Sequence, residues 1–112
     1  MKQVEKYLSV AASAITDLVT EGKITSANAG YISGFAASAI RNGLKTTFLL
    51  YYVDDNKKGV LKILAKTIGK EDLVTFKTEI SDATKDDLRH YTRKLIDASI
   101  AVKIISRTYI ID

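Results

Sequence analysis

The chain has 112 residues, enough for one domain with its own core, and carries 17 Lys and Arg against 13 Asp and Glu for a formal charge of +4. It contains no cysteine, which excludes disulfides, thiolate nucleophiles and cysteine-based zinc sites, and no proline, which favours helices joined by short connections. Contact with a polyanion is permitted by the charge, without being required by it.

The start, "MKQVEKYLSV", places Glu5 and Lys6 where a secretory leader would need unbroken apolar residues, so no targeting peptide and a cytoplasmic location are expected. Val4, Leu8, Ala11, Ala12, Ile15, Leu18 and Val19 then recur at the spacing of one helix face, and Glu21-Gly22 closes that pattern. Residues 23–30, "KITSANAG", read as a connection, and a second helix carries Tyr31 to Ile40. "RNG" at 41–43 reads either as a stop signal or as a tolerated glycine inside one bent helix. The apolar run before Arg41 and the one after Lys45 each fall well short of the ~20 residues of a membrane span, so spanning is rejected for 31–53.

A helix over Leu44–Val53 follows, then a polar turn, "DDNKKG", at 54–59. Residues 60–68 form a short amphipathic helix ending at Gly69, and 71–80 another with Leu73, Phe76 and Ile80 on one face. In "SDATKDD", Thr84 and Asp87 have the spacing of a capping box, from which the last helix runs unbroken to Ile110. No segment alternates with a two-residue period, so no sheet is expected. The fold class is all-α, a compact single-domain bundle of five to six helices with a long C-terminal helix.

Little in the chain supports catalysis. The one histidine, His90, stands beside Arg89 and Arg93 in a helix, there is no phosphate-cradling glycine loop, and the acid pairs at 54–55, 71–72 and 86–87 suit turns and helix starts. Adjacent helical residues diverge by about 100° and do not converge on one metal. No enzyme activity, metal, cofactor or small-molecule substrate is expected.

The basic residues are better organised. Lys57, Lys58, Lys62, Lys66 and Lys70 follow one another with no intervening acid, and the last four share one arc of a helix opposite Val60, Leu61, Leu64, Ala65 and Ile68. Like charges four residues apart repel by a few tenths of a kcal/mol, so something should compensate, and a polyanion is one candidate. On the last helix Arg89, Arg93, Lys103 and Arg107 fall within about 80° of each other along roughly 27 Å. Ile96 and Ile100 lie between them, the mixture expected of a surface that touches both protein and phosphate. Arg41 and Lys45 form a third basic site at the bend. All ten of Arg41, Lys45, Lys57, Lys58, Lys62, Lys66, Arg89, Arg93, Lys103 and Arg107 are candidate RNA contacts. The six tyrosines fall mostly on core faces, which makes base stacking the lesser role for them.

"AIRNGLKTTFLLYYV" at 39–53 and "HYTRKLIDASIAVKIISRTY" at 90–109 resemble the small helical subunit of the type III-B (Cmr) CRISPR effector complex. That family has an apolar helix running into "GL" with basic flanks, an aromatic and aliphatic helix, and a long last helix with a late basic residue, here Arg107. The resemblance covers roughly residues 30 to 110; the tryptophan expected just before the late basic residue is absent, with Ile104 near its place. It implies a non-catalytic subunit that lies along a filament of backbone subunits, beside guide RNA and target RNA. Such a subunit holds the strands electrostatically while guide pairing supplies specificity and other subunits cut. Scarce Cys, Met, Asn and Gln with abundant Ile and Lys suit a thermophilic, archaeal source. The competing readings are a small helical DNA-binding regulator and a structural adaptor with incidental charge.

Overall fold

A computed structural model describes residues 2–111, and six α-helices account for most of them. Helix α1 (Lys2–Ala14) tightens into a 3-10 turn at Ile15–Leu18 rather than continuing to Glu21. Glu21 and Gly22 both take positive φ, 52° and 73°, in the turn that reverses the chain between Thr20 and Lys23. Thr25 then caps α2 (Ser26–Asn42), its side-chain oxygen accepting from Asn28 N–H at 3.1 Å. The connection expected over 23–30 is therefore shorter, because the Thr25 cap starts the helix within it.

Gly43 settles the two options for 31–53. Its φ of 83° and ψ of 155° break the helix, so α2 and α3 (Leu44–Val53) are separate elements meeting at one glycine. A side chain would be strained in that conformation. The polar stretch at 54–59 is likewise helical. Asp54 caps α4 (Asp55–Thr67) by accepting from Asn56 N–H at 2.8 Å, so the acids begin a helix instead of forming a turn. Helix α5 (Leu73–Asp82) is capped by Asp72, and α6 (Lys85–Ser106) by the reciprocal Thr84–Asp87 box that the spacing predicts.

The last helix stops at Ser106, short of Ile110. The chain beyond it turns, and Ile110–Ile111 (β2) pairs in parallel with Lys23–Ile24 (β1). This two-residue ladder is a correction to the expectation of no sheet. It is too short to leave an alternating pattern in the sequence.

Helix α4 is the centre of the bundle and packs on all five other helices. Val60, Leu61, Ile63, Leu64 and Ala65 are all buried, so this helix is covered around most of its circumference, more than one face as amphipathicity suggested. Thr67, buried at the end of α4, satisfies its hydroxyl on the Ile63 carbonyl at 2.8 Å. Helix α6 lies against α1 and α2, the most extensive helix pairings in the molecule. Phe35, Phe48 and Phe76 are fully buried and join the layers through edge-on contacts, Phe35 to Tyr51 at 5.3 Å and Phe48 to Phe76 at 5.2 Å. No helix among the described residues is long and apolar enough to cross a membrane.

Candidate nucleic-acid interface

Because α4 is buried on most sides, Lys58, Lys62 and Lys66 leave along the one strip that remains, with Lys57 about 100° round the first turn from Lys58. Lys58 and Lys62 are exposed, Lys57 and Lys66 half-buried. Each is steadied differently. The Lys57 ammonium lies 5.5 Å from the ring centre of Tyr31 and 5.3 Å from that of Tyr51, and Lys58 lies 4.4 Å from that of Tyr52. Contacts of this kind contribute about 0.5–1 kcal/mol at exposed sites. Tyr51 is fixed beneath Lys57 by donating its hydroxyl to the Tyr31 carbonyl at 2.7 Å, and burial, followed by the nearby Tyr31, pushes its pKa up. Lys66 forms an ion pair with Asp17 at 3.1 Å. Lys62 makes neither kind of contact among the described residues.

The stripe does not extend to Lys70. Gly69 takes φ of 89° and the Lys70 N–H bonds back to the Ala65 carbonyl at 2.8 Å, a left-handed helix ending that redirects the chain. The Lys70 ammonium instead bonds Glu79 at 2.8 Å, and the same carboxylate oxygen accepts from the Tyr91 hydroxyl at 2.9 Å. This triad fastens the α4–α5 loop to α5 and α6. The hydrogen bond from Lys70, then that from Tyr91, hold the Glu79 carboxyl below its ordinary value; the Glu79 bond raises Lys70 in return. Burial first, and then the bond to Glu79, raise Tyr91.

A depressed carboxylate contributes stability that is complete above its ordinary pKa of 4.5 and disappears as pH falls through its lower folded value. Glu79→Gln is therefore expected to lose stability at neutral pH and to show a shallower decline on acidification. Urea midpoints for both proteins at about pH 6 and about pH 3 check this, and parallel declines would remove Glu79 from the acid response.

The second stripe divides. Arg89 and Arg93, both exposed, line a groove of about 520 Å³ with Ala39, Ile40, Gly43, Leu44, Thr92, Ile96 and Asp97. It runs between α6 and the α2–α3 junction. Ile40 stands 74% exposed at its edge, and Arg41 and Lys45, also exposed, flank Gly43 in the chain. Neither of those two lines the groove, whose basic lining residues are Arg89 and Arg93. On the other side of α6, Arg93 and Asp97 also line a groove of about 370 Å³ with Gln3, Lys6, Tyr7, His90 and Lys94. Lys6 and Lys94 were not singled out by sequence, since each stands apart from the basic stripes. Lys103 is half-buried and Arg107 is the exposed C-terminal cap of α6, about 27 Å from Arg89 along the axis and outside both grooves.

The described residues contain two Lys/Arg–carboxylate pairs, Lys66–Asp17 and Lys70–Glu79. Of the ten candidates only Lys66 is neutralised in this way. One residue that sequence reading missed is Lys77 of α5, whose ammonium lies 5.5 Å from the Tyr52 ring centre, near Lys58. A lone lysine on a separate helix leaves no periodic signal. No group of three or more His, Asp or Glu that could hold a metal occurs among the described residues. No family model, curated protein or solved structure matches the chain.

Proposed function

We propose that the chain is a non-catalytic small subunit of a type III-B (Cmr) RNA-guided effector complex, working in the cytoplasm. The lysine strip of α4 holds the sugar-phosphate backbone of guide or target RNA, and the groove between α2 and α6 faces a neighbouring protein subunit. One observation carries the reading: among the described residues nine of the ten basic candidates form no ion pair, and they lie on surfaces of the fold instead of in its core. Unneutralised cations on a rigid scaffold attract a polyanion and release its counterions. The groove suits a protein neighbour better, because Ala39, Ile40, Leu44 and Ile96 give it an apolar floor beside Arg89 and Arg93 and no aromatic ring lines it for a base to stack on. Arginine beside exposed aliphatic surface is the composition that protein interfaces favour.

Fluorescence anisotropy with labelled oligouridine, a mixed-sequence RNA and duplex DNA tests this between about 50 and 200 mM salt. Weak binding to both single strands without sequence preference is expected, with log K falling against log salt by about 0.7 per phosphate contacted. Absence of binding at about 50 mM salt would favour a structural adaptor, and tight preference for one palindromic duplex a DNA-binding regulator. Purification from the source cell should bring larger backbone subunits and a short guide RNA with the chain.

A further inference from the structure

The Tyr52 ring collects two lysines from different helices. Lys58 of α4 places its ammonium 4.4 Å from the ring centre, and Lys77 of α5 places its own at 5.5 Å. Neither forms an ion pair with a described carboxylate. Two like charges at one ring repel, and the ring attracts each without cancelling either charge.

The convergence is built into the core. Tyr52 stacks on Phe48, four residues back in α3, with ring centres 6.4 Å apart and planes 15° from parallel. Phe48 in turn meets Phe76 edge-on at 5.2 Å, and Phe76 is the residue before Lys77. The buried aromatic contact that docks α5 on α3 therefore also sets where Lys77 begins.

We propose that Lys58 and Lys77 form a single phosphate site on Tyr52, which grips one backbone phosphate of a single-stranded RNA. This rests on the reading that the chain binds RNA, and adds to it which phosphate contact is shared between two helices. Repulsion between the lysines falls when an anion sits between them, so the site is pre-charged for its ligand. A polynucleotide is favoured over a lone phosphate because the site is not isolated. Exposed Lys62 follows Lys58 about 6 Å further along the same arc of α4, and Lys66 stands about one turn beyond it. A row of cations matches a repeating anion.

The test measures oligouridine binding by wild type, Lys58→Gln, Lys77→Gln and the double variant, with Lys85→Gln as a control that makes no contact with the Tyr52 ring. Each single substitution at the site is expected to weaken binding about three- to tenfold, and the double by less than the product of the two, as for groups sharing one ligand. In the wild type, the ε-ammonium resonances of Lys58 and Lys77 should shift together as oligouridine is added, a readout independent of how any variant folds. If Lys58→Gln weakens binding while Lys77→Gln does not, the RNA reading stands and the shared site falls. Multiplying effects would mean two separate contacts and would also overturn it. Failure of the wild type to bind oligouridine removes both readings. Inorganic phosphate or oligoglutamate competing as strongly as oligouridine overturns the assignment to a polynucleotide backbone.

Discussion

Phe48→Ala is expected to lower the unfolding free energy by about 3–5 kcal/mol, the usual cost of emptying a fully buried phenylalanine site. Phe48 is fully buried, sits edge-on to Phe76 and stacks on Tyr52, so its removal strips α3 of its aromatic contacts to α5 and to its own next turn. Such a loss is a large share of the ~5–15 kcal/mol that holds typical domains together. Urea denaturation measures it as a fall in the midpoint with an unchanged slope. Partial collapse of the site would bring the cost toward the lower figure, and a loss under about 1 kcal/mol would mean that Phe48 is not packed as described.

Reversing Lys58, Lys62 and Lys66 to glutamate together is expected to reduce affinity for single-stranded RNA by at least two orders of magnitude at ~50 mM salt. The salt slope should shrink by about two, the sum of three phosphate contacts at about 0.7 each. Stability should change little. Lys62 has no ion-pair or ring partner among the described residues to lose, Lys58 gives up a ring contact of about 0.5–1 kcal/mol, and Lys66 an ion pair of about 0–1 kcal/mol. The three are not equivalent. Since Asp17 already holds the Lys66 ammonium, Lys66→Glu alone should weaken RNA binding less than Lys62→Glu. Anisotropy titrations paired with thermal melting check both halves. Unfolding of the triple variant would make the strip a structural element, and unchanged RNA affinity would remove α4 from the interface.

What the sequence disclosed follows how local each signal is. The Thr84–Asp87 box is confined to four residues and was legible as such. The 3.6-residue period of α6 likewise put Arg89 and Arg93 on one arc, and both stand exposed. The start of α4 was not legible, because Asp54 and Asp55 serve a turn as well as a cap, and only the Asn56 N–H bond to Asp54 decides between them. The parallel pairing of residues 23–24 with 110–111 links distant parts of the chain through two residues each and leaves no pattern.

The candidate site shows the same division. Its lysine row on α4 could be counted from sequence, but Lys70 leaves that row at Gly69 and ends on Glu79, an acid of another helix. Lys77 joins through Tyr52 for a matching reason: ring and lysine belong to different helices. Arg89 and Arg93 could be counted on α6 from sequence, yet the groove they line with Ile40 and Gly43 comes from the packing of α6 on α2.

The packing of α6 against α1 has a bearing on biosynthesis. Helix α1 leaves the ribosome before α6 and finds its most extensive partner only when α6 follows it, so the α1–α6 part of the core cannot close on a nascent chain that stops before residue 85. Until then the face of α1 that meets α6 stands open to solvent, and the interval between translation of the two helices is when that face is most exposed to aggregation and to chaperone capture.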